Sequence, residues 1–370
     1  MKRATSRATS QEKSRTQSQE KTQAWSRFPA LAEAGWLGAA LLLALGLTVL
    51  VTLPSGASPF ETIAVLLEGG LGSVSKLGRV LAGWVPLTLC AVGLLVTFTA
   101  RLWNIGVEGQ VVMGAIFCTA ALRPFDTGGV PEIILAMGAG ILGGALWALL
   151  AGLLRVFGRV HEIFSGLGLN FVALGVTLWL IFGPWKRPGV ASMSGTEPID
   201  VSLWLPRLGS MSVSWAALAL ALAAIVVVGL LLHRSSWGLR LRAVGENPKA
   251  ATLFALGPRR RLLQAFMLCG GLAGLAGAIQ VLGVYHRLLP SISSSYGYTA
   301  LLVGMMASFR LGPVPFICLF FAVLTVGSIQ LPLQMGLDSS LSGVIQGIMV
   351  LSVFIVHGLR LWLRQRREAA

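Results

Sequence analysis

Long apolar runs dominate the chain, and short segments rich in glycine, proline or charged residues separate them. An apolar run of about 20 residues is long enough to cross a membrane as an α-helix. Such runs lie near residues 34–53, 84–100, 130–153, 163–182, 213–232, 262–284, 313–330 and 341–359. The pattern predicts an all-α polytopic membrane protein.

Two further apolar stretches, at 111–122 and 298–309, are too short to cross a membrane alone. Each can cross by including its glycine-containing, partly polar N-terminal flank as a broken helix. We therefore predict about ten transmembrane helices in two inverted five-helix repeats, with the short broken helices in the third and eighth positions. Interrupted helices at matching places in inverted halves indicate a transport path near the membrane midplane.

The distribution of basic residues supports this count. The sequence has a net charge of +15 and contains 29 Lys and Arg residues. Ten crossings with the N-terminus inside place 22 of these 29 on the cytoplasmic side, as the positive-inside rule requires. The C-terminus is then cytoplasmic as well. Omitting either short helix would reverse everything after it, so we attribute the charge to membrane topology and not to nucleic-acid binding.

The chain divides into a basic tail and a transmembrane domain. Residues 1–29 are rich in Ser, Thr, Gln, Lys and Arg and predict a disordered cytoplasmic tail. A cleaved signal peptide is the competing interpretation, but the first apolar run is longer than the usual signal core of about 7–15 residues. Residues 30–365 form the transmembrane domain, and 233–261 is its longest basic inner loop.

The inner loop contains its own helix signal. Asn247 can cap a helix that begins at Pro248 and stops before Gly257. The predicted helix has about nine residues and presents Leu253 and Phe254, which suits docking onto another protein. A helix that lies on the lipid headgroups is the alternative.

A polar cluster interrupts the third apolar segment, where Asn104, Glu108 and Gln110 stand among glycines. A carboxylate in a membrane is costly unless it faces water, a partner or a ligand. This cluster is therefore the first candidate for a functional site. An ion pair between Glu108 and Arg101 that holds the broken helix in shape is the alternative.

Other chemistry is not indicated. The four cysteines lie inside apolar runs without metal-ligand spacing, and the four histidines are scattered at the ends of spans. No catalytic residues, metal site or bound cofactor are predicted. The glycine pairs Gly270/Gly274 and Gly140/Gly144 lie one turn apart and predict closely packed helices.

Four ordered stretches resemble the permeases of bacterial ABC transporters in the ribose and branched-chain amino acid group, most closely the nucleoside and simple-sugar subgroup. These stretches are Asn104–Gln110 with Met113–Ala115, Glu162–Ala173, Gly238–Ala251 and Gly297–Gly304. The resemblance covers about residues 84–357.

The resemblance implies the permease subunit of an ATP-driven importer, which carries a nucleoside or simple sugar across the bacterial plasma (inner) membrane by alternating access. ATP and Mg²⁺ would bind a partner ABC subunit, since the sequence has no G-x-x-x-x-G-K-[ST] phosphate loop. A second permease, identical or related, and an external solute-binding lipoprotein that docks on loops such as 54–83 and 183–212 complete the assembly. The alternative function is an ion-coupled secondary transporter that acts without an ATPase.

The resemblance also assigns roles to residues. The predicted path-lining residues are Asn104, Glu108, Gln110, Asn170, Tyr296 and Tyr298, because a ribose-bearing solute needs hydrogen-bond partners and an aromatic face for its base. A hydrogen bond between helices is the alternative role for Asn170. The predicted ATPase-coupling residues are Glu246, Asn247, Pro248, Lys249, Leu253, Phe254 and Gly257.

Overall fold

The structure is a computed structural model that describes residues 59–125, 127–189 and 195–335. It also describes isolated residues between 39 and 47 and between 344 and 366, all of them helical. The basic tail lies outside the described residues, as do most of the first predicted span and about half of the tenth. The chain divides into two compact units, one of residues 1–63 and 335–370 and the other of residues 64–334. The second unit contains the candidate sites discussed below.

Within the described ranges the chain is helical, with one isolated antiparallel bridge between Arg207 and Ser214. The helices are α1 (Pro59–Leu71), α2 (Val74–Thr99), α3 (Val107–Leu122), α4 (Val130–Val156), α5 (Glu162–Phe182), α6 (Trp215–Arg234), α7 (Ser236–Glu246), α8 (Pro248–Leu253), α9 (Pro258–Ile279), α10 (Tyr296–Met306), α11 (Val314–Ser328) and α12 (Gln330–Met335). Helix α9 continues as a π-helical segment, Gln280–Tyr285, and Val201–Leu203 forms a short 3-10 turn.

Five described helices are long and apolar enough to cross a membrane: α2, α4, α5, α6 and α9 with its π-helical end. They coincide with five of the predicted spans. The two short stretches are confirmed as short helices, since α3 has 16 residues and α10 has 11. Helix α11 also falls short of a full span, with 15 residues. The arrangement of ten helices in two inverted repeats stays a prediction.

The segment 54–83 is not the plain outer loop that the sequence suggested. Residues from Pro59 onward form α1, and α2 begins at Val74, ten residues before the predicted span. Ser73 caps α2 by accepting a hydrogen bond from the Lys76 backbone N–H, 3.2 Å away. Lys76 and Arg79 lower the hydropathy of the first turns, which explains why the apolar window starts later.

Helices α2 and α9 form the centre of the second unit. Most of the residues of α2 and α9 are buried, whereas only about a third of those of α4, α5 and α6 are buried. The exposed side chains include Phe171 and Trp179 of α5 and Val226 of α6. An exposed apolar face on a membrane-spanning helix is the face that lipid or another membrane chain covers. Helix α3 packs against α4, α5 and α9, inside this outer layer.

Glycines bring α3, α4 and α9 together at one crossing. A Cβ on Gly274 of α9 would overlap the Gly140 carbonyl oxygen of α4 and lie 3.0 Å from the Gly144 nitrogen. A Cβ on Gly114 of α3 would in turn overlap the Gly274 backbone. The helices therefore touch backbone to backbone, as the glycine spacing predicted.

We expect Gly274→Ala to destabilise the protein by about 3 kcal/mol, because the added methyl group meets backbone that cannot move aside. Gly271→Ala in the same helix is the matched control, since its Cβ would lie 3.4 Å from the Ile141 side chain. The measurement is the thermal unfolding of both variants in detergent. Equal unfolding temperatures would contradict the close crossing.

Candidate functional site

Two helix N-termini meet where the polar cluster was predicted. The chain leaves α2 through Arg101, which has a left-handed backbone with φ of 56°, and reaches α3 after five more residues. On the other side, Ser294 and Ser295 have φ of 46° and 58° and lead into α10. The first N–H groups of each helix have no partner in their own helix and must be satisfied from elsewhere.

Asn170 of α5 satisfies the start of α3. Its side-chain oxygen accepts a hydrogen bond from the Gly109 N–H at 2.8 Å, and its Nδ2 donates to the Ile105 carbonyl at 3.0 Å. The same Nδ2 lies 3.3 Å from the Tyr298 hydroxyl. Close packing of Gly166 against Gly106 brings α5 near enough for these bonds. Asn170 does form the interhelical contact that the sequence offered as an alternative.

Glu108 of α3 satisfies the start of α10. Its Oε2 accepts a hydrogen bond from the Gly297 N–H at 2.8 Å, and Ser293 also hydrogen-bonds the carboxylate. A carboxylate at a helix N-terminus is stabilised by the partial positive charge of that end. The Glu108 side chain is largely buried, with 9% of its residue surface exposed. It therefore ties the two broken helices directly to each other.

The proposed ion pair between Glu108 and Arg101 is wrong. Arg101 instead donates to Glu246 of α7, with its Nη2 2.8 Å from both carboxylate oxygens. Glu108 holds the broken helices together through backbone N–H groups, and no guanidinium is required. Arg101 has a left-handed backbone just after α2, and its side chain reaches Glu246 at the end of α7 instead of Glu108.

Asn104 and Gln110 form a separate buried pair. Asn104 Nδ2 lies 3.1 Å from Gln110 Oε1, and Gln110 Nε2 donates to Asn104 Oδ1 at 3.0 Å. Asn104 Nδ2 also lies 3.1 Å from the Cys269 sulfur of α9. These reciprocal bonds close the turn before α3. Their place on the solute path stays a prediction.

The two tyrosines of α10 point to different places. Tyr298 is 41% exposed and lies beside Asn170, at the open edge of the Glu108 cluster. The Tyr296 hydroxyl instead lies against Gly83 of α2, where an added Cβ would be 3.2 Å from it, and Gln280 is nearby. The structure thus brings together Glu108, Asn170 and Tyr298. We call these three residues the cap cluster.

Sequence reasoning missed three contributors to this cluster. Gly297 supplies a backbone N–H, and a Cβ there would lie 2.6 Å from the Glu108 nitrogen. Ser293 adds a hydroxyl, and Trp147 of α4 has a buried indole N–H without a hydrogen-bond partner near Gly109. Only Gly297 had a signal, since it opens one of the four motifs.

Residues 195–214, here called the strap, cover the far end of α9. The Thr196 N–H donates to the Leu288 carbonyl at 3.0 Å and the Leu205 N–H donates to the Leu282 carbonyl at 3.0 Å. The Trp204 ring stacks on His286 with centroids 3.6 Å apart. Burial and the nearby Arg207 lower the pKa of His286 to about 4, so the stacked ring is neutral at pH 7. The strap is therefore an anchored surface and not a loose loop.

The loop 233–261, which the sequence predicted to be the inner loop, holds two helices where one was predicted. Helix α7 ends at Glu246, and Asn247 caps α8 by accepting from the Ala250 N–H at 3.0 Å. The predicted cap at Asn247 and first position at Pro248 are confirmed. The nine-residue length is wrong, because α8 stops at Leu253 and Ala255 takes a left-handed conformation.

The coupling residues predicted from the sequence are all exposed. Leu253 is 87% exposed and Phe254 is 77% exposed, while Lys249 and Gly257 are exposed beside them. Large apolar side chains this exposed on a loop outside the membrane spans suit contact with a partner.

Within the described ranges, no group of three or more His, Cys, Asp or Glu residues is placed to hold a metal ion.

These features define a class of protein, the multi-pass permeases with broken helices and an ordered inner loop. The chain belongs to the family described as branched-chain amino acid transport system / permease component, which matches residues 77–354. The resemblance drawn from the four motifs is confirmed. This family also favours the ABC permease over an ion-coupled secondary transporter.

Several relatives of the chain are permease proteins of ABC transporters. It is 26% identical over 324 residues to the guanosine ABC transporter permease protein NupP of Bacillus subtilis (strain 168), covering 87% of this chain and 93% of that one. It is 29% identical to the glucose ABC transporter permease protein TsgB13 of Haloferax volcanii, covering 84% and 83%. It is 28% identical to the guanosine ABC transporter permease protein NupQ of the same Bacillus strain, covering 58% and 70%. No solved structure matches the chain significantly.

Proposed function

We propose that this chain forms the solute path of an ATP-driven importer for nucleosides or simple sugars. The observation that carries the proposal is the cap cluster, in which two broken helices meet through Glu108 and Asn170 at a partly exposed Tyr298. Polar helix ends inside a membrane protein are the usual place for a small polar solute. The names of the relatives, guanosine and glucose permeases, support this solute class.

The cap cluster suits a ribose or hexose because it offers both hydrogen-bond partners and a ring. The bond between Asn170 Nδ2 and the Tyr298 hydroxyl is long, at 3.3 Å, so a solute hydroxyl can replace it at small cost. The exposed face of Tyr298 can stack on a nucleobase or on the apolar face of a sugar. The other predicted path residues are Asn104, Gln110 and Tyr296, which lie further inside the protein than the cap cluster. Asn104 and Gln110 hold the turn before α3, and Tyr296 holds the end of α9.

Energy would come from a partner ABC subunit that binds ATP and Mg²⁺. The inner surface of Leu253 and Phe254 is the site we assign to that subunit. An external binding protein would deliver the solute at the strap, whose backbone bonds to the end of α9 make it a firm docking surface. A second permease completes the path, and the two guanosine permeases of one Bacillus strain that match this chain support a related partner chain.

We propose the bacterial plasma (inner) membrane as the location of the protein, in the orientation that the positive-inside rule predicts. Arg101, Arg310 and the basic loop 233–261 then lie in the cytoplasm, together with both termini. In this orientation the strap is external and α8 is internal. The solute then enters at the external face, and the ABC subunit acts at the cytoplasmic face.

The test is uptake of labelled guanosine and glucose by the assembled transporter in proteoliposomes. We expect ATP-dependent uptake of one of them, and a loss of about tenfold in rate for Tyr298→Ala if stacking contributes about 1.4 kcal/mol. Tyr298→Phe keeps the ring and should retain most of the uptake. Phe316→Ala is the control, since its side chain is 76% exposed on α11, outside the cap cluster.

Two results would overturn the proposal. Uptake by this chain alone, driven by an ion gradient, would make it a secondary transporter. Full uptake of both solutes by Tyr298→Ala would remove the cap cluster from the path.

A further inference from the structure

A pocket lined by arginines lies beside the coupling helix. It has a volume of about 350 Å³, and Arg240, Arg260 and Arg261 line it together with Phe254 and Gly257. None of the residues that line it carries a negative charge. Three guanidinium groups around one cavity repel each other and attract an anion that can bind more than one of them.

The local helix makes this charge arrangement more unusual. Arg260 and Arg261 occupy the first turn of α9, which contains no acidic residue. The N-terminus of a helix is its positive end, where basic residues are unfavourable and anions are favourable. An anion in the pocket would relieve both sources of repulsion.

An apolar groove begins where the arginine pocket ends. It has a volume of about 510 Å³ and lies between α4 and α9, from Gln264 to Leu275. Ile141, Ala145 and Gly271 form part of its wall. Eleven residues of α-helix rise about 16 Å, which is close to the hydrocarbon depth of one membrane leaflet, about 15 Å.

Gln264 joins the pocket to the groove. Its side-chain oxygen accepts hydrogen bonds from Arg261 at 3.1 Å and from the Trp237 indole at 2.9 Å. Trp237 and Gln264 also line the groove. The arginine pocket and the apolar groove therefore follow each other along α9, and the Trp237 indole of α7 is bonded to Gln264 between them. This is the order of phosphate, glycerol and acyl chain in a phospholipid.

We propose that this surface binds one anionic phospholipid of the inner leaflet, with its phosphate among Arg240, Arg260 and Arg261 and an acyl chain in the groove between α4 and α9. Charge complementarity selects an anionic headgroup, and the apolar groove selects a lipid over a free phosphate. Since Phe254 and Gly257 line the phosphate pocket, the bound lipid would also fix the end of the coupling helix. That last consequence rests on the proposed function, whereas the binding site does not.

Lipid binding to the purified full chain tests the site without any transport assay. The protein is titrated with phosphatidylglycerol or phosphatidylcholine in detergent, and bound lipid is counted by native mass spectrometry. We expect one phosphatidylglycerol to bind at least tenfold more tightly than phosphatidylcholine. Arg260→Gln/Arg261→Gln should weaken phosphatidylglycerol binding about tenfold, and Arg159→Gln/Arg310→Gln is the control with the same loss of charge.

The groove is tested by a second variant that leaves the arginines intact. Gly271→Leu fills the groove, and we expect it to weaken phosphatidylglycerol binding about tenfold. Gly175→Leu on α5 is its control, since a Cβ there meets nothing within 4 Å. A single elution peak in size exclusion shows that each variant is folded, and Arg261→Gln alone replaces the double variant if that one aggregates.

Three outcomes would overturn the proposal. Equal binding of the two lipids would mean that the pocket selects no anion. A second outcome combines three results: the arginine variant loses phosphatidylglycerol binding, Gly271→Leu keeps it, and millimolar inorganic phosphate competes with the lipid. That outcome would assign the pocket to a free anion. Unchanged phosphatidylglycerol binding in both variants would place the lipid elsewhere. None of these results depends on whether the chain imports a nucleoside.

Discussion

Glu108→Ala is expected to reduce solute uptake about 100-fold while the protein still reaches the membrane. The carboxylate accepts the Gly297 N–H at 2.8 Å and is bonded by Ser293, so its removal leaves the start of α10 without a partner. A hydrogen bond to a charged group contributes about 1.5–3 kcal/mol, and a loss of about 2.7 kcal/mol in the transport step corresponds to about 100-fold in rate. Uptake of labelled solute by the assembled transporter is the measurement.

Two companion variants separate the charge from the contact. Glu108→Gln keeps an oxygen that accepts the Gly297 N–H but loses the charge, so we expect an intermediate loss of about tenfold. Gly297→Ala keeps Glu108 but places a Cβ 2.6 Å from both its backbone nitrogen and its Oε2. This variant should separate α10 from α3 and lose uptake as completely as Glu108→Ala. Gly312→Ala is the matched control, because a Cβ at Gly312 meets nothing within 4 Å.

Protein amount and elution in size exclusion distinguish lost transport from lost folding. Wild-type uptake by Glu108→Ala, at normal protein levels, would show that the contact between α3 and α10 has no role in transport. Wild-type uptake by Gly297→Ala would show that the two helix ends need not touch. Either result would remove the central contact of the proposed path.

The sequence predicted the long helices well because twenty consecutive apolar residues have few alternatives. It also predicted the shortness of α3 and α10, because polar residues and glycines interrupt each apolar run. The cap at Asn247 followed from local chemistry, since Asn is a favoured helix cap and Pro a favoured first helical residue. These successes concern features that depend on neighbouring residues.

Features that depend on distant residues were harder to predict. Nothing local indicates that Glu108 meets Gly297 and not Arg101, because the pairing depends on how α3 and α10 approach each other. The rotation of α10 about its axis likewise separates Tyr296 from Tyr298, although both were predicted to line the solute path. Helix α7 was missed because its basic residues resemble those of any inner loop. The early start of α2 was missed because Lys76 and Arg79 lower the local hydropathy.

The second large expected effect is on transport coupling, at the exposed surface of Leu253 and Phe254. Leu253→Ala/Phe254→Ala is expected to abolish coupled uptake, because both side chains are almost fully exposed and ready to be buried by the ABC subunit. Burying a Leu or Phe side chain contributes about 1.5–3 kcal/mol. Removing most of both side chains should therefore weaken the association by about 3 kcal/mol, or somewhat more than 100-fold.

Co-purification of the ABC subunit and ATP-dependent uptake are measured together. Phe316→Ala/Leu333→Ala is the matched control, since these side chains are 76% and 73% exposed but lie outside the inner loop.

Replacing Glu246–Lys249 by a Gly-Ser linker removes the Asn247 cap and the partner of Arg101, and it should uncouple ATP hydrolysis from uptake while insertion stays normal. If the helix only lies on lipid headgroups, both inner-loop variants will keep the ABC subunit and transport normally. That outcome would end the assignment of α8 to coupling.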